Sequence, residues 1–208
     1  MRPHQSGDAA RAIDWYASAH RGNLCVRERA RDEALTWAAI IDDSGSMRVP
    51  EADPPAAAAR EAVNSWRDCL VAGDTWMQID CAAFSVEDTL HAALCELPSG
   101  CALLCVSDFY DATNAARPSI AAAARRFDCT ALLVRDRWNS PAGMLRVTDA
   151  ENAVTRKLYF GRRELARYAR AARERENAVR DLFRGCGWRA ALLDRDPGQA
   201  LLNAFDPP

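Results

Sequence analysis

The chain has 208 residues, 49% hydrophobic and 27% charged, enough to bury a sizeable core in one large domain or a domain with an appendage. Its 27 basic and 29 acidic side chains leave a formal net charge of −2, so no field of one sign argues for nucleic acid or an anionic membrane as partner. The chain contains no apolar stretch near the roughly 18 residues of a membrane span and no secretory h-region, and its opening "MRPHQSGDAARAIDW" is polar, so a cytoplasmic location without membrane insertion is expected.

In chain order, "LTWAAII" (35–41) reads as a buried strand, short, apolar and ended by turn residues. A loop follows, then a helix over 56–73, with Pro55 at its start and Gly73 at its end. "TWMQIDCAAF" (75–84) predicts a strand, "DTLHAALCEL" (88–97) a short helix, and "CALLCVSDF" (101–109) a second buried strand running into acids. A helix over 115–126 and a strand over 129–136 come next, then the turn "WNSPAG". "MLRVTDAENAVTRKLYF" alternates on either side of a polar centre, which predicts a β-hairpin turning near Ala150–Asn152. A long arginine-rich helix (162–184), the strand "WRAALL" and a helix over 197–205 complete the chain.

Strands alternating with helices predict an α/β fold, a doubly wound and mostly parallel sheet flanked by helices. The domain reading is an N-terminal segment, 1–34, packed on a core domain, 35–208, with a hairpin insertion at about 143–160. Eight cysteines occur without any C-x-x-C, mostly in apolar runs such as "CALLCV", so reduced, small core residues are expected rather than disulfides or zinc ligands.

In open α/β sheets, ligands sit beyond the carboxyl ends of the strands where the strand order reverses. That rule brings together the chain after Ile41 and the chain after Val106, and both continue into acids and hydroxyls. The first is Asp42-Asp43-Ser44-Gly45-Ser46, an Asp-x-Ser-x-Ser pattern; the second is Ser107-Asp108. A small hard cation wants oxygen ligands in near-octahedral array, two carboxylates nearly neutralise it, and hydroxyls ligate without adding charge. Alternate residues of one loop can aim Asp42, Ser44 and Ser46 at one point, and Thr89 and Asp108 arrive from neighbouring loops. The expected cofactor is Mg²⁺ or Mn²⁺, with one coordination position open to a partner. Asp-x-Ser-x-Ser by itself also suits helix capping, Thr89 could equally be an N-cap hydroxyl, and Asp43 and Asp111 read as solvated loop acids.

With these residues in hand, the chain resembles a von Willebrand factor A domain carrying a metal-ion-dependent adhesion site. That pattern lands on Asp42, Ser44, Ser46, Thr89 and Asp108. The N-terminal stretch is similar to the bacterial "domain of unknown function 58" family, whose hallmarks fall on Gly7, Asp8, Arg11, Ile13, Asp14, Trp15, Arg21 and Glu33. "GDTWMQIDCAAF", "VSDFYD" and "VRDRWNSPAGMLRVTDAENA" agree with later parts of the family pattern. The resemblance implies a Rossmann-type, von Willebrand factor A-like fold and no known catalytic reaction. It also implies an adaptor role beside MoxR-type AAA+ ATPases in assembling or maturing protein complexes.

Two further expectations concern the rest of the chain. Asp8, Arg11, Asp14, Trp15 and Arg21 suit a partly buried brace across the sheet edge, with a docking surface as the alternative, and the arginine-rich helix suits a surface laced with ion pairs, with a partner-docking face as the alternative. The function expected is metal-dependent capture of an acidic side chain on a protein partner, without catalysis. The rivals are a metal-dependent hydrolase or phosphoryl-transfer enzyme, and a scaffold whose metal site is empty. Against an enzyme stand Ser at position 44, where a phosphatase-type Asp-x-Asp has an acid, and the absence of a Gly-x-Ser-x-Gly elbow or a phosphate-binding Gly-Lys-Ser/Thr loop.

Overall fold

The computed structural model describes residues 2–3, 25–26, 34–49, 54–81, 84–135, 141–150 and 153–205. The chain divides into two compact units, Met1–Ala34 and Leu35–Pro208. In the first, β1 (Arg2–Pro3) pairs antiparallel with β2 (Cys25–Val26). The family-motif residues Gly7, Asp8, Arg11, Ile13, Asp14, Trp15, Arg21 and Glu33 lie outside the described residues, as do the first three positions, 138–140, of the expected turn "WNSPAG".

The second unit runs β3 (Thr36–Asp42), α1 (Pro55–Arg67), β4 (Thr75–Cys81), α2 (Val86–Glu96), β5 (Ala102–Ser107), α3 (Arg117–Arg126), β6 (Asp128–Val134), β7 (Gly143–Thr148), β8 (Thr155–Phe160), α4 (Arg162–Gly185), β9 (Arg189–Leu193) and α5 (Pro197–Phe205). Five of these strands form one parallel sheet in the order β4-β3-β5-β6-β9. The continuous apolar runs of β3, β5 and β6 are what such a sheet requires, because both of its faces are covered. Ala38 and Ile40 face one layer with residues of α2, α3 and α4; Ala39 and Ile41 face the other with α1 and α5. From β3 the chain crosses to β4 on one side and then to β5 on the other, so the order reverses between β3 and β5. This is the switch point of a doubly wound sheet. Ile41 lies opposite Val106, which leaves Asp42 and Ser107 as the next residues out of the sheet.

Several boundaries differ from the sequence expectation for physical reasons. Helix α1 ends at Arg67, short of Gly73. Asp74 claims the intervening chain, its carboxylate accepting from Val71 N, Leu35 N and Trp37 Nε1, while Gly73 takes a left-handed φ of 103° in the turn. Helix α2 starts two residues earlier than expected, capped by Ser85, and β5 stops at Ser107. The hairpin β7–β8 closes on the pair Thr148↔Thr155, with Asp149 and Val154 bracketing its turn.

Helix α4 departs furthest from expectation. Its inward residues are Glu176, Val179, Leu182 and Phe183, all in the second half. Among the described residues the arginines from Arg162 to Arg173 form no ion pair with the helix's own acids, and buried Glu176 instead reaches Arg135 at 3.7 Å. Spacing alone permits i,i+4 pairs, but exposed arginines lose side-chain entropy on pairing and gain little in water. Of the cysteines, Cys101, Cys105 and Cys129 are buried as expected, whereas Cys69 and Cys95 are exposed on helical surfaces or their ends. Burial pushes the thiols of Cys101 and Cys105 up, Cys101 to about 11, so neither is a thiolate at neutral pH.

Phe183 anchors α4 to the sheet. Its ring centroid lies 4.7 Å from that of Phe109 and 5.1 Å from that of Trp188. Phe183→Ala is expected to cost about 3–5 kcal/mol, read as a lower urea midpoint with an unchanged slope. A loss below about 1 kcal/mol would mean that α4 is held elsewhere.

Candidate metal centre at the switch point

Asp42 arrives at the site because the apolar run before it threads the core and ends where the chain must turn. Its carboxylate is 1% exposed yet fully engaged. Oδ2 accepts from Ser107 Oγ at 2.6 Å, and Oδ1 accepts from the backbone N of Ser44 at 2.8 Å. Ser107 Oγ in turn accepts from Phe109 N at 2.8 Å. One carboxylate thus joins the end of β3 to the end of β5 and folds its own loop back beneath it.

Desolvation raises the pKa of Asp42 from its ordinary value. The bonds from Ser107 and Ser44 pull it down, and the charge of Asp108 adds to the rise. A cation at this position would relieve both the desolvation and the repulsion.

The next two positions follow from the loop's shape. Gly45 and a single 3₁₀ turn over Ser46–Arg48 carry Met47 inward, where it is fully buried against the α1 face of the sheet. With Met47 as anchor, Ser44 and Ser46 lie side by side, their hydroxyl oxygens 3.2 Å apart. Adjacent ligands of an octahedral ion with bonds of 2.0–2.1 Å stand about 2.9 Å apart. The two hydroxyls therefore have the spacing of neighbouring ligands, while Asp43 turns aside to pair with Arg48 at 2.8 Å and Arg60 at 3.3 Å.

Asp108 is half-buried, and its Oδ1 accepts from Tyr110 N at 3.0 Å. The chain bends sharply behind it. Phe109 takes φ of 48°, a left-handed conformation that costs a bulky residue about 1 kcal/mol. Burial of the Phe109 ring against Phe84 and Phe183 offsets that cost.

Thr89 is buried one turn into α2 rather than at its cap; Ser85 fills the cap position and accepts from Asp88 N at 3.4 Å. Thr89 Oγ1 donates to Cys81 Sγ at 3.7 Å, and Cys81 is the residue opposite Asp42 in the β3–β4 ladder. Asp111 is likewise not a free loop acid, since its Oδ2 accepts from Val86 N at the start of α2. His91 is exposed on that helix.

Direct bonds therefore connect Asp42, Ser44, Ser46 and Ser107. Asp108 acts on Asp42 through charge, and Thr89 is tied to Cys81 on the adjoining strand. Among the described residues, no three of His, Cys, Asp and Glu cluster at metal-ligating spacing. A cation here would depend on hydroxyls, and the oxygen donors fit a small hard ion rather than zinc.

Three residues at the rim escaped the sequence reading. Ser107 was visible only as the residue before an acid, although it shares the strand parity of Cys105 and hence the face of Asp42. Arg175 donates from Nη1 to the carbonyl of Asp108 at 3.0 Å, and its guanidinium lies 5.3 Å from the ring centroid of the exposed Tyr110. No spacing rule links positions 108 and 175, so this contact has no local signal.

The raised pKa of Asp42 fixes a sign. The folded protein holds this proton more tightly than the unfolded chain, so its contribution is fully present below the unfolded value and lost as pH rises through the folded one. In chelator, the unfolding free energy of Asp42→Asn should therefore gain on that of the wild type from about pH 4 to 7. Urea titrations at both ends of that window measure the difference, and the opposite trend would mean that Asp42 is not desolvated.

Comparison with known proteins places this geometry in context. Residues 1–59 match the model of the family described as "Protein of unknown function DUF58". No curated protein sequence matches the chain. Among solved structures, the chain is similar to the conserved hypothetical protein BatB from Bacteroides thetaiotaomicron, with a TM-score of 0.53 at 11% identity over 82% of this chain and 96% of that one. At that identity the likeness shows the fold alone, an α/β sheet of the von Willebrand factor A-like type. The family match thus covers residues 1–59, and the structural likeness extends to the fold of the chain.

Proposed function

We propose that the chain is a non-enzymatic, cation-dependent protein-binding module. Mg²⁺ or Mn²⁺ held by Asp42, Ser44, Ser46 and Asp108, with Thr89 entering directly or through water, would leave a coordination position open to an acidic side chain of a protein partner. The observation that carries this reading is the pair of hydroxyls at ligand spacing beside a buried, desolvated carboxylate, at the sheet's switch point. A second acid, Asp108, stands near enough to act on the first.

Binding is favoured over catalysis by what surrounds the donors. Asp42 is committed on both oxygens to structural bonds, so it is poorly placed to act as a nucleophile or general base. Among the described residues His91, exposed on α2, forms no bond to Asp42, Ser44 or Ser46. The family likeness over residues 1–59 extends the reading to a role as adaptor for a MoxR-type AAA+ ATPase in assembly or maturation of a protein complex. Among the described residues no helix is long and apolar enough to cross a membrane.

A cation that binds the folded state at ten times its Kd should stabilise it by about 1.4 kcal/mol. For a chain of this size that corresponds to a Tm rise of roughly 3–6 °C. Mg²⁺ titration followed by thermal unfolding should show this rise in the wild type and not in Ser46→Ala, whose half-buried hydroxyl can be removed without disturbing the Asp42–Ser107 bond. Equal shifts in the two proteins, or none in either, would reject the site.

A further inference from the structure

We infer that the β7–β8 hairpin and the first half of α4 form a basic arm that docks an acidic segment of a partner protein carrying apolar side chains, and that it does so without a cation. The argument begins with direction. Arg175 contacts the carbonyl of Asp108 just past the carboxyl end of β5, whereas Arg184 Nε donates to Ala190 O at the start of β9. Helix α4 therefore runs antiparallel to the strands, and its residues before Arg175 continue past the sheet's carboxyl edge for roughly 20 Å. Nearly all of them are exposed.

Charge is concentrated there. Residues 143–175 contain eight arginines and one lysine against four acids, a surplus of five in a chain whose balance is −2 overall. Among the described residues neither the hairpin cations nor the arginines from Arg162 to Arg173 have an acidic partner within ion-pair distance.

The hairpin supplies the more specific observation. In its ladder Met144 stands opposite Tyr159, Arg146 opposite Lys157 and Thr148 opposite Thr155. Directly opposed residues share a face, so these six form one surface. Thr148 and Thr155 lock it with a hydroxyl bond of 2.9 Å. Met144 and Tyr159 are 67% and 68% exposed, a large apolar pair open to solvent. Arg146 and Lys157 oppose like charge to like charge, which destabilises a two-stranded ladder rather than helping it form. A hairpin of two strands is marginal alone, so this pair weakens the free protein unless carboxylates come between the two cations. Carboxylates flanked by apolar side chains would satisfy the cations and cover Met144 and Tyr159 together. A nucleic acid would satisfy the cations but leave the Met–Tyr pair in water, and the rest of the chain, with seven more acids than bases, would repel it.

The probe is a fluorescein-labelled peptide in which Glu-Asp pairs alternate with Leu and Phe, followed by anisotropy in low salt with EDTA. Arg146→Glu/Lys157→Glu should weaken binding by about tenfold or more, and the neutral pair Arg146→Gln/Lys157→Gln by an intermediate amount. Met144→Ser/Tyr159→Ser should weaken it about threefold or more, as should replacing Leu and Phe in the peptide by Ser. Ser46→Ala should bind as the wild type does, which separates this surface from the cation site: failure of the Mg²⁺ test leaves the arm standing, and the reverse. Unchanged affinity in Arg146→Glu/Lys157→Glu overturns the inference, as does absence of peptide binding. Stronger competition by a single-stranded oligonucleotide of matched charge would assign the arm to nucleic acid instead. A concentration-dependent dimer abolished by Tyr159→Ser would assign it to a second copy of the chain.

Discussion

The bond between Ser107 and Asp42 is the constraint on which the carboxyl edge of this protein depends. It joins two adjacent parallel strands at the point where the sheet's winding reverses, and so draws together two loops that share no sequence proximity. An ionised carboxylate at 1% exposure is costly by itself. Here the cost is offset by donors from both sides, a hydroxyl from β5 and the backbone N–H of the loop that Asp42 itself begins. The same two bonds place Ser44 and Ser46, because a chain turned back onto its own carboxylate has little choice of path once Met47 is buried. Structure and candidate chemistry are thus one arrangement.

Around that point the rim divides into two kinds of surface. Near Asp42 it is compact, oxygen-rich and carries negative charge. Beyond Asp108 it becomes cationic, through Arg175 and then the arginines of α4, with the exposed aromatic of Tyr110 between them. Neighbouring surfaces of opposite sign orient a charged partner and favour its encounter. The Arg175 contact to the Asp108 carbonyl joins the two regions directly.

The elements on which this edge stands could be read from the sequence because each is encoded locally. "TWAAII" and "ALLCV" are too short for helices and too apolar for a surface, so they could only be buried strands, and the acids that follow them had to lie at strand ends. Alternation of strand and helix then restricted the winding to few choices. Other features were not encoded locally. The end of α1 depends on Asp74 reaching back to Val71 and across to Leu35 and Trp37. The cap of α2 fell to Ser85 because Asp111, from a distant loop, also holds that end of the helix.

What the sequence by itself determined is the parallel sheet, the location of its switch point, and the presence there of Asp42, Ser44, Ser46 and Asp108, since apolar runs and strand order follow from composition and connectivity. Only the tertiary structure decided that Ser107 would tie Asp42 to the neighbouring strand, that Thr89 would face Cys81, and that Arg175 would close over Asp108. It alone decided, too, that the arginines from Arg162 to Arg173 would stand beyond the sheet with no acidic partner among the described residues. These are contacts between residues far apart in the chain, and their geometry is set by how helices seat on the sheet, which no local spacing records.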